Sequence, residues 1–380
     1  MKSNQEIIGF NKPFLTGREL EYIQQAHGND QLAGDGEFTY KSQAWLQENL
    51  NVSKALLTHS CTAALEMAAI LLDIMPGDEI IMPSYTFVTT ANAFVLRGGV
   101  PIFVDIKQDT LNINEMLIEA AITEKTKAIV VVHYGGFSCD MDYVLKIAKK
   151  HNLMVVEDAA QAMMSSYKNK YLGTIGDIGC LSFHETKNII SGEGGAILIN
   201  NLDLIERAEV IREKGTDRKK FNRGEVDKYS WKDIGSSYLP GEIVAAFLFA
   251  QLEQAHQITN NRKKIWDTYH EYCVNLPVIK NIRFSTTHEY LNGNGHLFFL
   301  LLEDLKSRNL FIDSMQASNI SCVTHYVPLH SSAGGKKFGK TGSEMTVTNS
   351  TADRLVRLPL WIGLTQDRVL EAIKNWNSLI

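Results

Sequence analysis

Cysteine is scarce in this 380-residue chain and shows no pairing pattern. The five cysteines are scattered at Cys61, Cys139, Cys180, Cys273 and Cys322, and no two of them form a CxxC pair. Their odd number argues against a disulfide framework, and their spacing argues against a zinc site. The pattern predicts buried thiols in a reducing compartment, so we expect a cytoplasmic protein without a bound metal.

Long apolar runs and an excess of one charge are also absent. The N-terminus lacks the apolar stretch of a secretory signal, and no uncharged apolar run approaches the roughly 18 residues that a spanning helix needs. The formal net charge is −5, and the two signs are mixed along the chain. These absences give no reason to expect a membrane or a nucleic acid as a partner.

What is present is an alternation of short β-branched runs with helical patterns over the first two-thirds of the chain. The chain is 44% hydrophobic, which is enough for a large core. The strand candidates are residues 79–83, 101–106, 127–134, 153–159, 178–184 and 195–200. The helix candidates are residues 60–74, 85–96, 114–121, 140–150 and 202–213. Continuous apolar strands between helices predict an α/β fold with a mostly parallel sheet covered on both faces.

The pattern changes around residue 250, where a long helix with increasing charge is expected. A second pattern of strands and helices follows, with strand candidates at 296–303 and 320–327 and an amphipathic segment at 366–378. We therefore predict a large domain over residues 1–250 and a smaller α+β domain over residues 251–380.

Two polar side chains stand at the ends of apolar strands, where ligands of α/β proteins collect. Asp158 closes the strand candidate 153–159, and a carboxylate there is either a helix N-cap or the partner of a ligand cation. Gln161 follows one short turn later. Lys187 lies between an apolar strand and the glycine cluster GEGG. Most isolated lysines are solvated, but a lysine in a partly dry pocket loses pKa and becomes nucleophilic.

A third polar feature is the segment THSCTAALEM, in which the hydroxyls of Ser60 and Thr62 precede a strongly helical pattern. Free N–H groups at a helix start, with hydroxyls beside them, bind phosphate, although an ordinary capped helix has the same pattern. The sequence GEGGA is not a dinucleotide fingerprint, because its spacing differs and it leads into a strand. It predicts a turn beside Lys187.

Taken together, a lysine amine, a phosphate cradle and a buried carboxylate are what pyridoxal phosphate (PLP) requires. The lysine would hold the aldehyde covalently, the helix start would hold the phosphate, and the aspartate would keep the pyridine nitrogen protonated. The residues alone therefore predict a lysine-dependent α/β enzyme with a phosphorylated cofactor.

The order of motifs along the chain resembles the DegT/StrS-type sugar aminotransferase family of PLP fold type I. The motifs that carry the resemblance are FNKPFLTGRE, GDGEFT, PSYTFV, VVEDAAQ, SFHETKN, EGG, HYVPLH and RLPLW. The resemblance implies the PLP-dependent transferase fold, with a mostly parallel mixed sheet between helices in the large domain and an α+β C-terminal domain. It also implies a homodimer with shared active sites.

The same resemblance assigns roles to individual residues. It makes Lys187 the catalytic lysine that binds the PLP aldehyde. The other implied cofactor contacts are Asp158 at the pyridine nitrogen, Gln161 at the ring hydroxyl, Phe87 stacked on the ring, and Cys61, Thr62, Ala63 and Ser182 around the phosphate. His325 and His330 match positions that line the sugar-nucleotide pocket, although a lone histidine is often structural. Leu239 stands where many members carry an asparagine that reaches the neighbouring subunit, and Ser236 or Ser237 could replace it.

The segments TFVTTANAFVLRGG, REKGTDR and DIGSSYL resemble the branch of the family that acts at C4 of the sugar. That branch implies transfer of the amino group of L-glutamate to a dTDP-4-keto-6-deoxyhexose, giving dTDP-4-amino-4,6-dideoxygalactose. The alternatives are the 4-amino-4,6-dideoxyglucose epimer, amination at C3, and a regulator of this fold that binds a ligand without catalysis. Members that remove the C3 hydroxyl carry histidine in place of the lysine, so Lys187 argues against that branch.

Overall fold

A computed structural model gives the fold for residues 6–275, 282–286 and 291–377. The strands are β1 (Lys54–Thr58), β2 (Glu79–Pro83), β3 (Val100–Val104), β4 (Thr126–Val132), β5 (Met154–Asp158), β6 (Ser166–Tyr167), β7 (Lys170–Tyr171), β8 (Ile178–Ser182), β9 (Gly195–Ile199), β10 (Arg283–Phe284), β11 (Leu291–Asn292), β12 (Phe298–Leu301), β13 (Lys340–Thr341) and β14 (Leu355–Leu358). The α-helices are α1 (Glu19–Gly28), α2 (Glu37–Leu50), α3 (Cys61–Leu71), α4 (Val88–Val95), α5 (Met141–His151), α6 (Ile205–Arg212), α7 (Arg218–Asn222), α8 (Glu242–Glu253), α9 (Ala255–Asn275), α10 (Leu305–Ala317), α11 (Ala333–Phe338), α12 (Thr346–Arg354) and α13 (Asp367–Asn377).

The largest sheet has eight strands in the order β1-β9-β8-β5-β4-β2-β3-β13. Strand β9 is antiparallel to its neighbours β1 and β8, and every other neighbouring pair is parallel. Consecutive residues of a strand belong to different cores: Ile81 and Val155 pack in one cluster, whereas Ile80 and Val156 pack in the other. Both faces of the sheet are therefore buried, which explains why its strands are apolar without alternation.

The predicted strands of the first two-thirds are confirmed as β2, β3, β4, β5, β8 and β9, within a few residues at each end. Strand β1 was not predicted, because its apolar run is short and only three residues separate it from α2. The helix predicted over residues 114–121 is two 3₁₀ turns, Glu115–Leu117 and Glu119–Ala121. The long helix expected near residue 250 is divided at Gln254 into α8 and α9.

The C-terminal part contributes a separate antiparallel sheet in the order β10-β12-β14. Helix α10 packs on β14 and contacts α12 and α13. This part also extends the other sheets, because β13 pairs with β3 and β11 pairs with β6. The predicted boundary at residue 250 falls inside α8, and the division at this residue stays a prediction.

The strand predicted over residues 320–327 is wrong. This segment makes only isolated bridges, between Ile320 and Ile8 and between Val323 and Arg357. Tyr326 has a φ of 43°, a left-handed conformation that an extended strand does not contain. The segment instead carries His325 and Tyr326 to the wall of a deep cavity.

Within the described ranges, no helix combines the length and the apolar character needed to cross a membrane. The same ranges hold no group of three or more histidine, cysteine, aspartate or glutamate side chains arranged to bind a metal. All five cysteines are buried and free.

Candidate active site

A cavity of about 770 Å³ opens at the carboxyl ends of the parallel strands. The C-terminal part of the chain supplies one wall of the cavity. This wall consists of residues 296–297, 323–326 and 357–358. Among the residues singled out from the sequence, it brings together Cys61, Thr62, Phe87, Asp158, Gln161, Ser182, Lys187 and His325. Ala63 and His330 do not line it. Residues spread over more than half of the chain therefore converge on one site.

Lys187 lies in the loop that joins β8 to the antiparallel strand β9. Backbone hydrogen bonds fix this loop: Lys187 N–H donates to the carbonyl of His184 at 2.9 Å, and Glu185 N–H donates to the carbonyl of Gly192 at 2.8 Å. Within the described part of the chain, no carboxylate lies at ion-pair distance from its amine. Burial lowers the pKa of Lys187, the neighbouring Cys61 thiol and Asp158 carboxylate partly oppose this, and the positive charge of Arg357 adds to it. Such an amine loses its proton readily and is a nucleophile.

Asp158 ends β5 with a buried carboxylate whose two oxygens are both anchored. Oδ2 accepts a hydrogen bond from the Thr90 hydroxyl at 2.7 Å, and Oδ1 accepts one from Ala160 N–H at 3.1 Å. The Thr90 hydroxyl is itself 2.8 Å from that of Thr86. No α-helix begins between β5 and β6, so the N-cap interpretation of Asp158 is wrong. The carboxylate is held in a fixed orientation at the cavity wall, as a ligand cation requires.

The start of α3 forms another part of the cavity wall. Ser60 caps this helix, and its hydroxyl accepts a hydrogen bond from Ala63 N–H at 3.1 Å. The Ala63 N–H group is therefore already used, while Cys61 and Thr62 line the cavity beside Ser182. A helix start carries partial positive charge and free N–H groups, so this corner suits an anion such as phosphate.

Gly195 allows this anion corner at the start of α3 to form. It lies opposite Thr58 in the pairing of β1 with β9. A Cβ atom at this position would be only 2.4 Å from the carbonyl carbon of Ser60 and 2.5 Å from the nitrogen of Cys61. Only glycine lets the first residue of β9 approach the start of α3 so closely. The turn GEGG predicted beside Lys187 therefore also shapes the anion corner.

Phe87 and Gln161 also line the cavity. Phe87 precedes α4 and exposes 56% of its surface although it lines the cavity, so its ring is available to stack against a flat ligand. The Gln161 amide is fixed at both ends: its oxygen accepts from Gly135 N–H and its nitrogen donates to the Tyr326 hydroxyl, each at 2.7 Å. Its orientation is thus set before any ligand binds.

The two histidines from HYVPLH differ in position. His325 is at the cavity wall, where its Nδ1 is 2.7 Å from the Tyr134 hydroxyl. Burial, together with the charge of Arg357, holds the pKa of His325 well below its usual range, so the ring is neutral. The Nδ1 of His330 is 2.7 Å from the Ser84 hydroxyl, outside the cavity lining. Of the two, only His325 is placed to contact a ligand of this cavity in the folded chain.

Several residues of the site were missed at the level of sequence. Thr90 supports Asp158, and its only local signal is its position four residues after Thr86 in TFVTTANAF. His296 lines the cavity, and its Nδ1 is 3.0 Å from the amide oxygen of Asn188, the neighbour of Lys187. Arg262 and Arg357 also line the cavity. His296, Arg262 and Arg357 are each more than 70 positions from Lys187 in the sequence. No local pattern around Lys187 therefore predicts that they belong to the site.

The site suits a flat, phosphorylated ring that carries an aldehyde. Lys187 supplies the amine, Asp158 a fixed carboxylate for a ring cation, Phe87 an aromatic face, and the α3 start with Ser182 an anion corner. At that corner Gly195, which has no side chain, packs against main-chain atoms of Ser60 and Cys61. These are the groups that PLP requires.

Comparison with known proteins agrees with this arrangement. A model of the DegT/DnrJ/EryC1/StrS aminotransferase family matches residues 13–375. The chain is 36% identical over 368 residues to the GDP-perosamine synthase of Escherichia coli O157:H7, covering 97% of both chains. Helicobacter pylori PseC, an aminotransferase involved in the biosynthesis of pseudaminic acid, superposes with a TM-score of 0.90 at 26% identity and covers 99% of this chain and 100% of its own.

A third relative is a solved structure described as a PLP form. The PLP form of Spr1654, a putative sugar aminotransferase from Streptococcus pneumoniae, superposes with a TM-score of 0.89 at 25% identity and covers 98% of both chains. The chain described here belongs to the DegT/DnrJ/EryC1/StrS aminotransferase family and is a sugar aminotransferase that uses pyridoxal phosphate.

Proposed function

We propose that this enzyme moves the amino group of L-glutamate onto C4 of a dTDP-4-keto-6-deoxyhexose and produces dTDP-4-amino-4,6-dideoxygalactose. The observation that supports transamination most directly is the presence of Lys187 and Asp158 in one cavity, with an amine of lowered pKa and an anchored carboxylate. The choice of donor, nucleotide and sugar position is supported by the resemblance of the motifs TFVTTANAFVLRGG, REKGTDR and DIGSSYL to the C4-acting branch.

Lys187 has two tasks in this proposal. Its amine would hold the cofactor covalently. Its Nζ, once free, would accept the α-proton of the donor and hold that proton for return. When bound, pyridoxal phosphate supplies an aldehyde and an electron-accepting ring, which allow the amino group to be stored between two half-reactions. The lowered pKa of Lys187 favours the neutral amine that this proton transfer needs.

The other residues of the site would hold the cofactor and stabilise the charge on its ring. Asp158, fixed by Thr90 and by the Ala160 N–H group, would stabilise positive charge on the ring nitrogen. Phe87 would stack on one ring face, and Gln161 would meet the ring hydroxyl. The start of α3 and the Ser182 hydroxyl would hold the phosphate. His325, neutral and bonded to Tyr134, is placed to contact the sugar nucleotide.

The identity of the nucleotide is the part of the proposal for which an alternative has the most support. The relative from Escherichia coli O157:H7 is a GDP-perosamine synthase, which supports a GDP-linked sugar as a second candidate. The 4-amino-4,6-dideoxyglucose epimer and amination at C3 are further alternatives, because the face and the carbon that receive the proton depend on how the sugar lies in the cavity.

The deciding experiment offers the purified, PLP-loaded enzyme dTDP-4-keto-6-deoxyglucose and GDP-4-keto-6-deoxymannose in separate reactions with L-glutamate. We expect a mass change of ketone to amine on the dTDP-sugar, and NMR of the product should place the new axial amine at C4. A product from the GDP-sugar alone contradicts the dTDP assignment. Absence of any product, with a cofactor band that L-glutamate does not change, supports a ligand-binding regulator instead.

We also propose that two copies form a cytoplasmic homodimer with shared active sites. Large apolar side chains remain exposed on the single chain, among them Leu20 at 79% and Trp231 at 82%, and a second copy would cover surface of this kind. Ser236 and Ser237 are exposed, whereas Leu239 is partly buried. Either serine is thus accessible to a neighbouring subunit. Light scattering should give twice the mass of one chain, and a monomer of full activity would contradict the shared site.

A further inference from the structure

A second cavity, of about 290 Å³, lies away from the cofactor cavity. It is lined by the β6–β7 hairpin with the residue that leads into it, 164–171, by one face of helix α9 and by residues 292–293. We call it the hairpin groove. Among the described residues, none that lines the hairpin groove also lines the cavity of Lys187. The groove is therefore a separate site, and the transamination described above gives it no task.

Helix α9 presents a polar face to this groove. Four residues on one face of the helix line it, at spacings of three, four and seven positions, namely His256, Thr259, Asn260 and Lys263. An apolar side chain of the same helix, Ile258, packs in the main core instead. A helix face that packs against other elements is normally apolar. The sequence of α9 therefore leaves a polar groove beside the hairpin where an apolar face would have closed the contact.

The hydroxyl of Thr259 is buried and unpaired. The residue exposes 7% of its surface, and its Oγ1 has no hydrogen-bond partner among the described residues. A threonine inside a helix can donate to the carbonyl one turn earlier, as Thr268 of the same helix does to Lys264 at 3.0 Å. A buried hydroxyl without a partner is costly. Because Thr259 lines the groove, a rotation about χ1 lets a ligand bound there supply the missing partner.

The backbone of the groove is strained and held in place. Met164, which lines the groove, has a φ of 68°, in the left-handed region that few residues other than glycine adopt. The preceding residue is fixed by Asn294, whose Nδ2 donates to the carbonyls of Met163 and Gln161, each at 2.9 Å. Such conformations persist where the surrounding structure enforces them, and they concentrate at binding sites. The groove is thus formed before a ligand arrives, which lowers the entropy cost of binding.

The chemistry of the lining favours a neutral ligand that carries several hydroxyl groups. The amides of Asn260 and Asn292 and the hydroxyl of Thr259 can donate and accept hydrogen bonds, as sugar hydroxyls do. The described residues that line the groove include no carboxylate, and its lysine would repel a metal ion. Lys263 already donates to the amide oxygen of Asn292 at 2.5 Å in a solvent-exposed contact, so it adds little affinity for an anion. The volume is small for a drug-sized ligand and suits one monosaccharide ring.

We propose that the hairpin groove binds a hexose through its hydroxyl groups, at a site separate from the cofactor cavity. The Thr259 hydroxyl, unpaired in the free protein, bonds one sugar hydroxyl, and the Asn260 amide bonds another. This inference goes beyond the proposed function. It uses no residue of the cofactor cavity and assumes neither the amino donor nor the nucleotide.

The test measures binding of methyl α-D-galactopyranoside and methyl α-D-glucopyranoside to the PLP-loaded enzyme by saturation-transfer NMR. Both probes are neutral hexoses without a ketone or an amine. We expect the wild type to bind at least one of them, with a dissociation constant about 10-fold higher in Thr259→Val and in Asn260→Ala, which each remove one hydrogen-bonding group. Thr268→Val, which removes an exposed hydroxyl of the same helix, is the matched control and should bind as the wild type does.

Thr259→Val also separates ligand binding from folding. Valine has nearly the same shape, and the hydroxyl that it removes has no partner among the described residues. The melting temperature of the free variant should therefore equal or exceed that of the wild type. A clearly lower melting temperature would show that the hydroxyl is already paired within the protein and would contradict the proposal. Asn260 is exposed, so Asn260→Ala tests the sugar contact without disturbing the core.

His325→Ala distinguishes the two sites, because it alters the wall of the cofactor cavity and leaves the hairpin groove intact. We expect this variant to bind the glycoside as the wild type does. Loss of binding in His325→Ala, with normal binding in Thr259→Val and Asn260→Ala, places the sugar in the cofactor cavity and overturns the proposal. Absence of saturation transfer to both glycosides in the wild type overturns it as well, and so does equal affinity in the wild type and both groove variants.

Discussion

The hydroxyl of Thr90 donates a 2.7 Å hydrogen bond to Oδ2 of Asp158 and joins helix α4 to the end of strand β5. Both groups are buried, so this bond is not exchanged with solvent. It fixes the direction of the carboxylate that we expect to meet the cofactor ring. Thr90 does not line the cavity itself, and it acts on the reaction through Asp158.

The first prediction concerns this bond. Thr90→Val keeps the shape of the side chain and removes the donor, leaving Asp158 anchored only at Oδ1, by the Ala160 N–H group. A hydrogen bond to a charged group contributes about 1.5–3 kcal/mol, so we expect kcat to fall roughly 10- to 100-fold. Thr90→Ser retains the hydroxyl and should keep most of the activity. Steady-state kinetics decide, and equal kcat in wild type and Thr90→Val would show that Asp158 needs no such support.

The second prediction concerns Asp158 itself. Asp158→Asn preserves the size of the side chain and one of its two acceptor oxygens. It removes the negative charge that would stabilise a protonated ring nitrogen. Loss of one preorganised electrostatic contact typically costs about 10²- to 10³-fold in kcat. We expect this loss in turnover together with a much smaller change in PLP affinity, measured by equilibrium dialysis. Wild-type turnover in Asp158→Asn refutes the role of the carboxylate.

The third prediction uses the lowered pKa of Lys187, in the cofactor-free chain. Folding shifts this pKa below its ordinary value of 10.5, so unfolding takes up a proton in the window between the two values. Stability therefore rises with pH through that window, and below it the folded chain bears the cost of a buried charge. Each pKa unit corresponds to about 1.4 kcal/mol.

Lys187→Met should remove this cost. The cofactor-free variant is expected to be more stable than the wild type at pH 7, with a difference that narrows as the pH approaches 10.5. Thermal unfolding over a pH series measures it. Lys306→Met, at an exposed position, should follow the wild-type profile. A Lys187→Met profile parallel to that of the wild type would mean that folding does not shift this pKa.

The fourth prediction concerns the approach of β9 to α3. In Gly195→Ala, the new Cβ meets main-chain atoms of Ser60 and Cys61 at 2.4–2.5 Å, and these atoms cannot move without displacing the helix start. We expect a loss of about 1–3 kcal/mol in stability and a weaker affinity for PLP. Gly28→Ala, where the added atom meets nothing within 4 Å, is the matched control. Unchanged PLP binding in Gly195→Ala would separate the α3 start from the phosphate site.

The fold was largely predictable because the central strands are buried on both faces. Strands such as β2 and β8 are continuous apolar runs, and periodicity finds them without tertiary information. The same signal was misleading at residues 320–327, where an apolar run forms irregular backbone. There, the left-handed Tyr326 is stabilised by hydrogen bonding to Gln161, which is distant in sequence. The pattern of neighbouring residues does not indicate a contact between residues so far apart in sequence.

The site was predictable in part for a related reason. Lys187 and Asp158 follow strands of one parallel sheet, so their convergence follows from topology. Arg357 and His296 belong to the sheet and loops of the C-terminal part, and only the packing of that part against the large sheet brings them to the cavity. His330 has the same motif as His325 but is turned toward Ser84, a difference that the spacing HYVPLH does not show.

The central claim is that Lys187 is the residue that binds pyridoxal phosphate covalently. The most direct test treats the PLP-loaded enzyme with borohydride, which makes the lysine–cofactor bond permanent, and maps the modified peptide by mass spectrometry. The account predicts one reduced adduct, on Lys187, which disappears after prior incubation with L-glutamate. An adduct on another lysine, or none on an enzyme that still transaminates, would contradict it.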